Sequence, residues 1–94
     1  MMNIGMLWFD NDVQTDIGAK IYRAAEYYKE KYGSTPNLCF IHPSMTPKTT
    51  MRHDEVTNKY YYDVNSRYSI EIRTTRAVLP NHFWLGVGSL EQRL

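Results

Sequence analysis

From Ile4 to Phe9 the chain is apolar on consecutive positions, the pattern of a short strand covered on both faces. After Asp12 the period lengthens. Val13, Ile17, Ile21, Ala24, Tyr28 and Tyr32 recur every three or four residues and predict one apolar stripe along a helix from Asp12 to Tyr32. Arg23, Glu26 and Glu30 fall on its far side. Asn11 or Asp12 is placed to cap the start, and Gly33 to close the end in the left-handed conformation. Asp16 and Lys20 stand one turn apart in the favourable order for an ion pair, and Lys29 and Lys31 suit the negative end of the helix dipole.

"NLCFI", Asn37 to Ile41, predicts a second buried strand, closed by His42-Pro43. A strand, a helix and a strand in that order predict a β-α-β unit with its two strands parallel. Met45 to Asn58 is polar, contains Pro47 and has no clear period, which predicts a long loop. Lys59–Val64 and Tyr68–Arg73 follow as strands joined by "NSR". In the latter, Tyr68, Ile70 and Ile72 face one way while Ser69, Glu71 and Arg73 face the other. "LPN" turns the chain into a last strand, His82 to Val87, with Phe83, Leu85 and Val87 on one face. The fold class is therefore α+β with an α/β-like start, ordered β-α-β-β-β-β or β-α-β-β-β. It is a mixed sheet with one long helix packed on one face. The tail "SLEQRL" predicts nothing.

The 94 residues are enough for a single domain, 1–94, with a modest core. A net charge of +1 lacks the basic excess of a general nucleic-acid or membrane-surface binder. One cysteine, Cys39, excludes an internal disulfide and suits a reducing compartment. The first residues carry no basic, long-apolar signal pattern, and no run approaches the roughly 20 apolar residues of a membrane span. The expectation is a soluble, cytoplasmic chain.

Three groups of residues invite chemistry. Asp10 and Asp12 close the first strand, where ligands bind beyond the carboxyl ends of parallel strands, and two carboxylates there suit Mg2+. "FDNDVQT" resembles the aspartate-x-aspartate opening of haloacid-dehalogenase-type phosphohydrolases, which implies metal-dependent phosphate-ester chemistry at these two residues. Thr15 follows Asp12 by three residues, however, where that family has Thr or Val after two. The competing reading is a strand end followed by a helix cap, the role Asp and Asn fill best. Cys39 and His42 have the types for zinc, with His53 and His82 to complete a set, but residues three apart on a strand point to opposite faces. Cys39 fits better as a small buried hydrophobe.

"KYYYD" is the third. Strand alternation sends Tyr61 to the face opposite Tyr60 and Tyr62, so one core cannot hide all three rings. Trp84 is likewise out of phase with Phe83 and Leu85. Rings with arginines beside them are what protein interfaces use. This points to a partner-binding set of Tyr60, Tyr61, Tyr62, Arg67, Tyr68, Arg73 and Trp84. Without a partner, the same rings would form stabilising cross-strand pairs. The leading expectation is a small non-catalytic module that binds protein, simplest as a homo-oligomer, through a sheet face or edge. A metal-dependent phosphoesterase or nuclease using Asp10 and Asp12 is the alternative, and a single-stranded nucleic-acid binder the second alternative.

Overall fold

Six strands and one α-helix make up the regular structure of the computed structural model, which describes residues 5–45 and 51–88. In chain order these are β1 (Gly5–Phe9), α1 (Ile17–Tyr32), β2 (Leu38–Ile41), a 3-10 turn (Pro43–Met45), β3 (Arg52–Asp54), β4 (Lys59–Asn65), β5 (Tyr68–Thr74) and β6 (His82–Gly86). They form one mixed sheet in the order β1-β6-β2-β5-β4-β3, with the helix against one face. The α+β class read from the sequence is thus the observed one.

Several details differ from the sequence reading, each for a physical reason. β1 and β2 do run in the same direction, but they are not neighbours. β6 lies between them, antiparallel to both, and β2 instead has β5 as its parallel partner. The central place goes to β6 because Phe83 and Leu85 are fully buried, whereas β1 alternates between buried and exposed positions. β1 is therefore an edge strand with one wet face, not a strand covered on both sides. A short extra strand, β3, pairs Arg52, His53 and Asp54 with Tyr61, Tyr60 and Lys59 inside the stretch read as a loop. Three polar residues show no period, and only their hydrogen bonds to β4 make them a strand. Residues 46–50 of that stretch, Ile4 and the tail 89–94 lie outside the described residues.

The helix begins at Ile17, and its cap is Asp16, whose carboxylate accepts from the Ala19 amide at 2.9 Å. Val13, assigned to the apolar stripe, is 92% exposed in the preceding loop. Asn11 and Asp12 do not cap the helix because Asp12 is committed to its own turn, accepting from the Gln14 amide at 2.9 Å. Lys20 is buried, and its Nζ donates to the Asp10 carbonyl at 3.3 Å rather than reaching Asp16. The far end follows expectation, with Gly33 at φ 78° and its amide returning to the Lys29 carbonyl.

Ile21, Ala24, Ala25 and Tyr28 of the helix meet Met6, Cys39, Ile41, Ile70, Ile72, Phe83 and Leu85 of the sheet in one core. Tyr68, Ile70 and Ile72 take the helix side and Ser69, Glu71 and Arg73 the other, as their alternation required. The last strand stops at Gly86, one residue early. Val87 is exposed rather than in line with Phe83 and Leu85, because the chain there leaves the sheet and Gly88 bonds back to the Asn37 side chain. Asn81, at φ 67°, makes the turn into β6, a left-handed position that asparagine tolerates well. Among the described residues no helix is long and apolar enough to cross a membrane.

Candidate functional site

With a single helix on one side, the opposite sheet face has no covering layer of regular structure among the described residues. Strand register places side chains there in rows. Leu7 of β1 faces Trp84 of β6, Trp84 faces Phe40 of β2, and Phe40 faces Arg73 of β5. Phe9 stands beside this row, opposite His82, with their rings 5.0 Å apart. Leu7 is 60% and Phe9 56% exposed. The Trp84 and Phe40 ring centroids are 5.9 Å apart in an edge-on arrangement, and the indole lies over Gly5, where an added Cβ would fall against it. The missing Cβ of Gly5 thus leaves the room that the Trp84 indole occupies.

The other half of this face is charged but internally neutralised. Arg52 grips Asp63 with two hydrogen bonds of 2.8 and 2.9 Å, and its guanidinium lies over the Tyr61 ring at 4.9 Å. The Arg52 guanidinium and the Ser69 hydroxyl hold the Asp63 carboxyl below the usual carboxylate range. Arg73 is held by Glu71 in the same way, at 2.8 and 3.3 Å. The face therefore divides into an apolar part on β1, β6 and β2 and a self-satisfied polar part on β5, β4 and β3.

The residues singled out from sequence are distributed over both sides. Tyr61, Arg73 and Trp84 share the uncovered face. Tyr60, Tyr62 and Tyr68 point to the helix side, where Tyr62 and Tyr68 pack against the core and Tyr60 stacks on His53 with centroids 4.5 Å apart. Tyr68 donates to the Pro36 carbonyl at 2.6 Å, and burial pushes its phenol up to about 12. Arg67 lies in the turn between β4 and β5. Sequence reasoning missed Leu7, Phe9 and Phe40. Their signal was present as alternation, but the consecutive apolar runs "MLWF" and "LCFI" concealed which residues would be left outside.

Asp10 and Asp12 do come together, around a cation the chain itself provides. Arg23 Nη1 lies 3.5 Å from Asp10 and 3.9 Å from Asp12. Asp10 accepts from the Asp12 amide, and Asp12 from the Gln14 amide and the Thr15 hydroxyl, the last at 2.6 Å. Those two donors hold the Asp12 carboxyl below the ordinary range. Arg23 thus already supplies a positive charge beside both carboxylates. Among the described residues no group of three His, Cys, Asp or Glu is arranged to hold a metal ion.

Cys39 is fully buried on the helix side, and burial pushes its thiol well up, away from thiolate chemistry. His42 bonds Ser44, His53 bonds Asn58 and His82 bonds the Pro80 carbonyl, so each imidazole has a local partner. A cavity of about 690 Å³ opens near the carboxyl ends of the parallel pair β2 and β5, lined by Pro43, Met51, Tyr60, Ile72 and Thr74 among others. Its arginine, Arg73, is the one already held by Glu71. No protein-family model, no curated protein and no solved structure matches this chain.

Proposed function

We propose that this chain is a non-catalytic protein-interaction module that self-associates through the β1 side of its sheet, by the uncovered face or its edge. The observation that carries this reading is the apolar row Leu7–Trp84–Phe40 with Phe9 beside it, on the side of the sheet away from the helix. Large apolar side chains grouped in one patch mark interaction surfaces more than scattered ones do. Aromatic rings supply the contact area on which association energy concentrates.

The same face also carries what a single-stranded nucleic-acid binder would use, namely rings with arginines nearby. Charge weighs against that alternative. Arg52 and Arg73 are each paired with a carboxylate on the same face, so neither is a free cation to neutralise phosphates and displace their counterions. The metal-dependent phosphoesterase reading is disfavoured because Arg23 stands between Asp10 and Asp12.

Sedimentation across a concentration series tests the proposal, using the wild type and a Leu7→Asp/Phe9→Asp double variant. Both positions are exposed, so the variant keeps its fold by circular dichroism and loses association. A wild type that stays monomeric and captures no protein would refute the reading. So would a double variant that associates as well as wild type.

A further inference from the structure

Resting on the self-association reading, and going beyond it to a defined partner and register, we infer that two copies of this chain join edge to edge through β1. The pairing is antiparallel about a two-fold axis at Leu7. β1 pairs with β6 on one side and with no strand among the described residues on the other. The backbone shows which groups face that open side. The Asp10 amide donates to the Asn81 carbonyl at 2.9 Å, which makes this a hydrogen-bonded pair in an antiparallel ladder. Such pairs alternate along the strand. Met6 and Trp8 therefore spend their amides and carbonyls on β6, while those of Gly5, Leu7 and Phe9 point outward. Tyr32 agrees with this assignment, since its hydroxyl reaches the Gly5 carbonyl at 3.4 Å.

An edge of this kind is self-complementary. With Leu7 facing Leu7 of the second copy, each residue's N–H meets the other's C=O, and Gly5 of each copy meets Phe9 of the other in the same bonding pattern, the Gly5 carbonyl using its second lone pair beside the Tyr32 hydroxyl. The side chains then fall into place. On the uncovered face the two Leu7 side chains lie together at the axis. Each Phe9 ring comes across the partner's Gly5, the position over which Trp84 already lies. That juxtaposition forms an aromatic pair across the seam and continues the apolar row from one copy into the next. On the helix side Met6 comes opposite Trp8.

Nothing in the strand opposes such pairing. "GMLWF" contains no charge, no proline and no inward-pointing polar residue, the usual devices that keep a free edge from finding another. The opposite edge differs. β3 is three residues long and reads Arg-His-Asp, so charge guards it. The second copy is therefore recognised by β1 and not by β3.

Hydrogen exchange and sedimentation together test this, on the full chain. In the expected result the wild type sediments as a dimer. The Leu7 and Phe9 amides, fast-exchanging when the protein is dilute, slow as its concentration rises. Leu7→Pro removes an outward donor without removing a bond to β6, and sediments at half the wild-type mass. Phe40→Asp, on the face but away from the seam, remains dimeric. Leu7→Lys keeps the β1 backbone intact and is also monomeric, which covers any failure of the proline variant to fold. A dimer whose Leu7 and Phe9 amides stay fast at every concentration overturns the edge. So does a dimer that Phe40→Asp abolishes while Leu7→Pro leaves it intact. In both cases self-association itself stands, by face packing. A monomer at every concentration overturns both.

Discussion

Removing a single hydroxyl at Tyr68 should weaken this fold measurably, with a signature in pH that identifies the cause. Tyr68 begins β5 and donates at 2.6 Å to the carbonyl of Pro36, a fully buried residue in the link between the helix and β2. Tyr68→Phe keeps the ring and its packing and deletes only the bond. The net worth of an intramolecular hydrogen bond is about 1 kcal/mol, and removing a donor so that a buried acceptor is left unsatisfied costs about 1–3 kcal/mol. A loss of roughly 1–3 kcal/mol follows, which in a domain of this size lowers Tm by at least about 4 °C.

The pH dependence comes from the same environment. Burial raises the Tyr68 phenol to about 12 in the folded chain, against about 10 when unfolded. The folded state therefore holds this proton more tightly. Its stabilisation is complete below about pH 10 and is lost as the pH rises through 12. The assay is thermal or urea unfolding of wild type and Tyr68→Phe from neutral pH to about 12. The gap between the two should be constant up to about pH 10 and then narrow. A variant that melts with wild type at neutral pH would refute the bond's role. A gap that stays constant through alkaline pH would refute the assigned environment.

Three further outcomes follow from the same geometry. Asp16→Ala removes the carboxylate that caps the helix at the Ala19 amide and should cost about 1 kcal/mol in urea unfolding, whereas Asp12→Ala should leave helix stability unchanged. Gly5→Ala places a methyl group where the Trp84 indole lies, so tryptophan fluorescence should change, with a loss of about 1–3 kcal/mol from overpacking in a melt. The Asp63 carboxyl is held low by Arg52, so that pair's stabilisation is present above the ordinary carboxylate pKa of about 3.9 and fades as pH falls through the lowered folded value. Acid unfolding of Asp63→Asn should accordingly converge with wild type at low pH, and added salt should shrink the difference at neutral pH.

Much of the candidate surface was written in period-two alternation. Tyr61 against Tyr60 and Tyr62, and Trp84 against Phe83 and Leu85, fall on opposite faces whatever the sheet order is, because adjacent strand residues always do. Alternation could not say which side the helix would take, and so it could not separate Tyr61 and Trp84, left on the open face, from Tyr60, Tyr62 and Tyr68. Leu7, Phe9 and Phe40 escaped notice because an uninterrupted apolar run looks the same in a central strand and in an edge strand with one naked face. Asp10 and Asp12 were legible as neighbours of one another, but not as neighbours of Arg23, which lies more than a helical turn into the next element.

What the chain settled by itself is local. Its helix, ended by Gly33, its strands starting near Asn37, Lys59, Tyr68 and His82, and the period-two alternation within the last three of them follow from repeat spacing and backbone preference, which act over a few residues. Strand order belonged to tertiary structure. Seating β6 between β1 and β2 buries Phe83 and Leu85 completely and sends Gly5–Phe9 to the rim, a choice made by summed burial across segments distant in sequence. β3 formed for the same reason, since its hydrogen bonds depend on β4 already being in place. The outward amides of Leu7 and Phe9 exist because of that ordering, and no reading of "GMLWF" alone contains them.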